Sequence, residues 1–354
     1  MRSLSRSGAN PIQRVPLWAV CSLAVLLAGC RLPTGPGTRR VESSPHVLIA
    51  RTAPAEGIRR TDKFLTIENQ PGELIWLTSA SLSATASDKS VEPVLSRASV
   101  VLKNTQRYEQ LHNINIPLQG LLFRFSTNNQ RIDFPKGYGL PLNSNEPLFL
   151  GTESQCAVNP TSPAKASFDL DLDYLRDRGL STHPSALYCV QLSSLITVGS
   201  WPRYYGIATP DPQSQGPGTP NYPPATTERF SDGVGGTFAD MWYCGPGDQE
   251  NRTYASTLLS LTRDTRIHAA MAHMMPHGTK LELYDLTAAE SVLDFQGKGD
   301  VPTFQPMQSA EGVFLHRDHQ YELRATFHNP RSTTIKAGAQ MMLYLEAPKS
   351  LGNP

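Results

Sequence analysis

Residues 168–174 read Phe-Asp-Leu-Asp-Leu-Asp-Tyr, a strict alternation of apolar and acidic side chains. Side chains two positions apart on a strand project to the same face, so this stretch predicts a half-buried β-strand with its three aspartates on one face. Such a row of carboxylates can hold a calcium ion, or it can form the solvated outer face of a sandwich strand. The solvated face is the simpler interpretation.

Similar short strands, separated by turn signals, are predicted on both sides of this stretch. The first group comprises residues 74–77, 99–102, 121–125, 147–150, 167–174 and 186–192. The second group comprises residues 236–243, 266–274, 280–285, 291–295, 321–327 and 335–345. Because convincing long amphipathic helices are missing from the sequence, the pattern predicts an all-β protein of two tandem antiparallel jelly-roll or β-sandwich domains.

A proline-rich stretch divides the two groups of strands. Residues 210–224 read PDPQSQGPGTPNYPP, and proline at this density excludes both a helix and an interior strand. We therefore predict a linker over residues 207–227, a first domain over 62–206 and a second domain over 228–350. The balance of 32 Lys and Arg against 31 Asp and Glu gives no basic surface for nucleic acid.

The amino-terminal residues have the order of an export signal. Residues 1–29 carry three arginines and no acid, followed by an apolar run too short to cross a membrane permanently. The run ends in Leu-Ala-Gly-Cys at residues 27–30, which resembles the bacterial lipobox, so we predict cleavage before Cys30 and lipidation of its thiol. An ordinary secretory signal with a chance cysteine is the alternative. Residues 30–61 then predict a flexible tether, and Arg31 favours an outer-membrane location.

Cys156, Cys189 and Cys244 follow the lipidation site. In an oxidising envelope two of them could pair, and a Cys156–Cys189 disulfide is our prediction because both fall in the first predicted domain. Three buried free thiols are the alternative.

Residues 268–277 concentrate three histidines and three methionines. Imidazole and thioether are both copper ligands, and thioether favours Cu(I). Strand periodicity places His273 beside Met275, with His277 offset by the turn. The alternative is that these side chains pack in a core and satisfy local hydrogen bonds. A second concentration, His316, His319 and His328, is more typical of solvated polar residues in a turn.

The second half resembles a known family. The motif His-Met-x-Pro-x-Gly-x-x-Leu over residues 273–281, the strand Tyr-Glu-Leu at 321–323 running into Phe-His-Asn-Pro at 327–330, and a final apolar strand at 341–345 are similar to the carboxy-terminal domain of copper type II, ascorbate-dependent monooxygenases. In the first half, Leu-His-Asn-Ile at 111–114 resembles the strand where that family carries paired histidines. The resemblance implies two jelly-roll domains, as also in peptide N-glycosidase F.

The resemblance also implies copper ligands, which this sequence only partly retains. His273 matches one second-domain ligand, Met275 replaces its histidine partner, and Met341 lies near the expected methionine. His112 matches one first-domain histidine, and Asn113 replaces the next. The candidate metal ligands are therefore His273, Met275, His277, His112 and Met341.

Several ligands of the dual-copper site are replaced, which disfavours its hydroxylation chemistry. The sequence thus predicts a lipid-anchored envelope protein with a noncatalytic binding or structural role, possible in adhesion or gliding motility, with envelope proteins and the membrane as partners. The alternatives are a copper-dependent monooxygenase with rearranged ligands and a Cu(I)-binding lipoprotein.

Overall fold

The computed structural model describes residues 36–42, 46–47, 59–67, 72–86, 93–103, 120–156, 165–198, 225, 230–231 and 237–348. The described part is almost entirely β-strand, with one short helix, which confirms the all-β prediction. No helix among these residues is long and apolar enough to span a bilayer. The predicted signal segment, Cys30, His112 and most of the predicted linker lie outside the described residues.

The strands of the first part are β1 (Gly37–Glu42), β2 (His46–Val47), β3 (Arg59–Leu65), β4 (Leu74–Ala86), β5 (Pro93–Leu102), β6 (Leu121–Phe125), β7 (Arg131–Asp133), β8 (Tyr138–Asn143), β9 (Leu148–Cys156), β10 (Lys165–Arg176), β11 (Ser185–Ser193) and β12 (Ile196–Thr197). The elements that follow are β13 (Phe230–Ser231), β14 (Thr237–Ala239), β15 (Trp242–Cys244), β16 (Gly247–Tyr254), α1 (Ser256–Leu259), β17 (Thr265–Met274), β18 (Gly278–Asp285), β19 (Glu290–Gln296), β20 (Met307–Leu315), β21 (Tyr321–Asn329), β22 (Ile335–Ala337) and β23 (Ala339–Glu346).

These strands form one large sheet and several smaller ones. The large sheet has the order β1-β10-β4-β8-β11-β23-β17-β20, with β2 and β7 attached at its side. Two four-stranded sheets have the orders β3-β9-β5-β6 and β16-β21-β18-β19. Pairing is antiparallel apart from β8 with β11. Several sheets with mostly antiparallel strands are the architecture of a β-sandwich protein.

The alternating stretch forms the middle of β10 as predicted. Phe168, Leu170 and Leu172 are fully buried, whereas the intervening aspartates are half-buried on the other face. Asp171 accepts two hydrogen bonds from Arg40 of β1, and Asp173 accepts one from Ser79 of β4. This carboxylate face is therefore tied to its neighbouring strands.

The segment predicted as a flexible tether differs in the structure. Gly37–Glu42 is a strand that pairs with β10 along its whole length. Six residue pairs join the two strands, and Arg40 lies opposite Asp171 with a side-chain N–O distance of 2.8 Å. This part of the predicted tether is an edge strand of the large sheet.

Strands β17 and β23 lie inside the large sheet and are apolar along most of their length. In β17 every residue from 267 to 273 is buried, and in β23 every residue from 341 to 345 is buried. Only Met274 and Glu346, which end these two runs, are half-buried. Strands covered on both faces read as continuous apolar runs rather than alternating ones. On one face, Tyr344 of β23 packs against Phe123 of β6 and donates a hydrogen bond to the Leu122 carbonyl at 2.9 Å.

The large sheet joins the two groups of strands predicted from the sequence. β11 of the first group pairs with β23 of the second over seven residue pairs, Leu187 to Ser193. The division into domains at the proline-rich linker stays a prediction.

Candidate functional site

The structure separates two of the predicted copper ligands, His273 and Met341. On β17, His273 lies directly opposite Gln340 of β23, and Met341 pairs with Ala272. Because neighbouring residues of a strand project to opposite faces, Met341 and His273 lie on different faces of the sheet. The proposed thioether ligand from the last strand is therefore directed away from His273.

The remaining ligands of that set are distributed along the turn after β17. Met275 donates its backbone N–H to the Gly338 carbonyl at 2.9 Å, so it remains next to the end of β23. His277 has a left-handed backbone with φ 68°, and its ring lies 4.0 Å from a carboxylate oxygen of the exposed Asp300. Met275 thus lies beside Gly338 at the start of the turn, and His277 lies two residues further along it, near Asp300.

His273 is a buried histidine in a polar pocket of the core. Its ring hydrogen-bonds to the backbone of Arg124, and its Nε2 atom is buried with no hydrogen-bond partner among the described residues. Burial, together with the nearby Arg124 charge, lowers the pKa of His273 to about 3. The imidazole is therefore neutral at neutral pH, as a histidine that packs in a core must be.

Four polar residues around His273 form what we call the inner polar group (Arg124, Asp240, His273 and Gln340). Arg124 is its cationic member. Burial lowers the pKa of Arg124 to about 10, Arg97 lowers it further, and Asp240 and Glu153 oppose that shift. Gln340 donates a long hydrogen bond of 3.5 Å to Asp240. The inner polar group contains one cation, one carboxylate and one neutral imidazole. This composition fits an internal electrostatic interaction between β6, the β14–β15 turn and the large sheet.

The state of Cys189 in the structure differs from the predicted Cys156–Cys189 disulfide. It is a free and buried thiol on β11, and Cys244 is also free and buried within the part of the chain that the structure describes. Cys189 faces Tyr344 of β23, whose hydroxyl hydrogen-bonds to it, whereas Cys156 ends β9 in a different sheet. The Cys156–Cys189 pairing is therefore not formed, because Cys189 is a free thiol on β11.

A different group of side chains has the composition of a metal site. His316, Asp318 and His319, which we call the turn histidine cluster, lie between β20 and β21. One ligand atom from each residue lies within 4.8 Å of the others, and among the described His, Cys, Asp and Glu side chains this is the group with that property. The two imidazole rings stack with centroids 4.4 Å apart.

A buried carboxylate orients one of these histidines. Asp285, at the end of β18, is 3% exposed, and its Oδ2 lies 2.6 Å from Nδ1 of His319. Its other oxygen accepts the backbone N–H groups of Thr287 and Ala288 at 2.8 and 2.9 Å. Burial alone raises the pKa of Asp285, but these hydrogen bonds outweigh it and the pKa is lowered. The hydrogen bond to Asp285 in turn raises the pKa of His319.

Sequence reasoning missed the partners that define both groups. Arg124 stands alone among apolar residues in Leu-Leu-Phe-Arg-Phe, which is a usable signal of a buried charge. Asp285 lies 34 residues before His319, and no local pattern links them.

The described residues define the class as an all-β protein of several packed sheets. No protein-family model matches the sequence, and no curated protein matches it significantly.

Three solved structures similar to this chain share very little sequence with it. "Recombinant peptide: N-glycanase F (PNGase F)" aligns over 88% of this chain and 96% of its own, with 9% identity and a TM-score of 0.38. A second structure, titled as a peptide-N(4)-(N-acetyl-beta-D-glucosaminyl) asparagine amidase, aligns over 88% of this chain and 96% of its own, with 8% identity and a TM-score of 0.35. The STIV MCP structure aligns over 88% of this chain and 97% of its own, with 10% identity and a TM-score of 0.30. Likenesses at these scores carry no argument about activity.

Proposed function

We propose that this chain is a lipid-anchored protein of the bacterial outer membrane, whose β-sandwich body is a noncatalytic binding or structural component of a surface assembly. Adhesion and gliding motility are processes that use such components, and other envelope proteins are the expected partners. The observation that carries the proposal is the Leu-Ala-Gly-Cys motif at residues 27–30, directly after a short apolar run. Acyl chains on Cys30 would bind the bilayer surface through their buried methylene groups.

The positions of the histidines and methionines support a noncatalytic role for the body. His273 is buried and hydrogen-bonded to the Arg124 backbone, and Met341 lies on the opposite face of the sheet. An oxygen-activating copper site needs its ligands to meet at one metal ion in a defined geometry, with a coordination position left open. The copper-dependent monooxygenase and the Cu(I)-binding lipoprotein remain the alternative proposals. The enzyme would use His273 with Met275 or Met341 as its thioether ligand, and the Cu(I)-binding protein would use His273, Met275 and His277.

Fatty-acid labelling tests the anchor. The full chain with a carboxy-terminal tag is expressed in a Gram-negative host, together with Cys30→Ala and the matched control Cys21→Ala in the apolar run. We expect an alkyne-bearing fatty acid to label wild type and Cys21→Ala, and label to be lost in Cys30→Ala together with outer-membrane fractionation. Equal labelling of Cys30→Ala, or none in wild type, contradicts the proposal.

Oxygen consumption separates the noncatalytic role from the enzyme. Purified full chain is supplied with Cu²⁺, ascorbate and a set of candidate peptide and amine substrates, and His273→Ala/Met275→Ala serves as the matched variant. We expect the same background oxygen consumption from both proteins. A turnover that is present in wild type and lost in the variant would move the assignment to the monooxygenase.

A further inference from the structure

We propose that the turn histidine cluster binds one divalent first-row transition metal ion, with Zn²⁺ and Cu²⁺ as the ions that best fit its donors. The site is distinct from the predicted copper set, and the inference does not rest on lipid anchoring. It uses His316, Asp318 and His319 as ligands and Asp285 as a positioning residue.

The donor set selects the class of ion. Two imidazole nitrogens and one carboxylate oxygen suit Zn²⁺, Cu²⁺ and Ni²⁺, whereas Ca²⁺ and Mg²⁺ prefer oxygen ligands alone. Residues 316–319 contain no thioether or thiol, so the cluster lacks the soft donors that favour Cu(I). Three protein ligands on a turn leave a further coordination position for water.

The backbone that carries the ligands is fixed at several points. The His319 N–H donates to the His316 carbonyl at 3.3 Å and closes the turn. The Tyr321 hydroxyl accepts the His316 N–H at 2.8 Å and donates to the His316 carbonyl at 3.0 Å. The Arg317 N–H donates to Asp264 at 2.9 Å. A turn held in this way loses little conformational freedom when its side chains bind an ion.

Asp285 supplies the arrangement by which proteins orient a metal-binding histidine. Metal-ligating imidazoles usually donate their second ring N–H to a carboxylate, which fixes the ring and its tautomer. Because Nδ1 of His319 engages Asp285, Nε2 is the nitrogen left to bind an ion. Asp285 is itself held by two backbone N–H groups, so this support does not depend on a bound metal.

The separation of the ligand atoms is compatible with closure on an ion. Donor atoms bonded to one tetrahedral Zn²⁺ at about 2.0 to 2.2 Å lie roughly 3.4 Å from one another. The ligand atoms of the cluster lie within 4.8 Å of one another, so closure on an ion requires a further approach through side-chain movement. His316 and Asp318 are exposed, which leaves those rotations free of core packing.

Two other histidines provide matched comparisons. His328 has its Nδ1 at 2.6 Å from Asp248, and His183 has its Nδ1 at 2.7 Å from Asp177. Each is an exposed histidine with a carboxylate partner, but neither belongs to a group of three described ligands. If the ion binds the turn histidine cluster more tightly than these pairs, the difference is therefore due to the third ligand.

Calorimetric titration tests the site on the purified full chain. Zn²⁺ is added to wild type, His316→Ala, Asp285→Asn and the control His328→Ala, and Co²⁺ is used as a visible-absorption probe of coordination. We expect one equivalent of Zn²⁺ on wild type and His328→Ala, at least a hundredfold loss of affinity in His316→Ala, and a tenfold to hundredfold loss in Asp285→Asn. Ca²⁺ and Mg²⁺ are expected not to compete.

The thermal midpoint of each apo variant checks that the fold is retained. Because His316 is exposed, its hydrogen bonds to Tyr321 are made by its backbone, and its ring contacts lie at the surface, we expect His316→Ala to fold as wild type does. Zn²⁺ affinity that is equal in wild type and His316→Ala, or that falls equally in His328→Ala, overturns the proposal. So does a Co²⁺ spectrum that is the same in wild type and His316→Ala.

Discussion

The imidazole of His268 on β17 stacks on the phenol ring of Tyr138 on β8, with ring centroids 3.9 Å apart and an interplanar angle of 26°. The two residues come from the two different groups of strands predicted in the sequence. Tyr138 also donates a hydrogen bond to the Ala310 carbonyl of β20 at 3.1 Å. This stacked pair therefore connects strands that are far apart in the chain.

Removal of the Tyr138 ring should weaken that connection. We expect Tyr138→Ala to lower the free energy of unfolding by about 1 to 3 kcal/mol, because an aromatic pair and the apolar burial of the ring are both lost. Tyr138→Phe keeps the stack and loses one half-exposed hydrogen bond, so it should cost only about 0.5 to 1 kcal/mol. Urea denaturation of the three proteins measures both. Equal losses in the two variants would show that the hydroxyl, and not the ring, makes the connection.

Gly312 permits the close approach of β20 to the same histidine. Its φ is 73°, and a Cβ atom built on it would lie 2.8 Å from Cε1 of His268. Gly137 has a similar φ of 89°, and nothing in the described structure lies within 4 Å of its Cβ position. Both Gly→Ala variants carry the backbone cost of about 1 to 2 kcal/mol, so Gly312→Ala should be the more destabilised protein in thermal unfolding. A smaller loss for Gly312→Ala than for Gly137→Ala would contradict the contact.

The buried His273 makes stability depend on pH. Burial lowers its pKa to about 3 in the folded protein, against an ordinary value of 6.5. The unfolded chain therefore binds a proton between these values that the folded chain does not. The contribution of neutral His273 to the free energy of unfolding is fully present above pH 6.5 and is lost as the pH falls toward 3. Over that range the free energy of unfolding falls with a slope that approaches roughly 1 kcal/mol per pH unit.

The comparison that isolates this effect uses His273→Gln, which cannot titrate. We expect the free energy of unfolding of wild type to fall faster than that of His273→Gln between pH 6.5 and pH 4, measured by urea denaturation at each pH. Carboxylates contribute to both proteins equally, so only the difference in slope matters. Parallel curves would mean that His273 is protonated, or exposed, in the folded state.

Cys189 should be inert in the folded protein. Burial raises the pKa of its thiol far above the ordinary value, and Tyr344 covers it from β23. We expect iodoacetamide to leave the Cys189 peptide unmodified under native conditions and to modify it fully in urea without reductant, as peptide mass spectrometry reads out. Modification in urea that requires prior reduction would instead indicate a disulfide.

The sequence predicts strands well where burial follows a simple period. The alternation of residues 168–174 and the apolar runs of β17 and β23 each give the correct element. β16 was not predicted, because Gly-Asp-Gln-Glu-Asn-Arg-Thr-Tyr has the composition of a loop. Its buried positions hold Asn251 and Thr253, which hydrogen-bond to the backbone of Leu195. A polar side chain with a fixed backbone partner can fill an interior position that composition assigns to solvent.

The candidate sites show the same limit. The proximity of His273 and Met275 stays a prediction, because β17 ends at Met274 and Met275 begins the turn. The face on which Met341 lies depends on the register of β23 against β17. A shift of one residue in that register would exchange the faces, and the sequence alone does not fix it. The pair of His319 with Asp285 depends on the approach of β18 to the turn before β21, which is a property of the tertiary structure.

The central position of β23 has a consequence for the order in which the protein is made. β23 pairs with β11 on one side and β17 on the other, yet it is synthesised after both. Until residues 339–346 have left the ribosome, β11 and β17 each lack the neighbour that pairs with this edge in the finished sheet, and unpaired edges recruit other strands. A nascent chain of this protein therefore exposes these two edges until β23 is made, and the large sheet is completed only after that strand emerges.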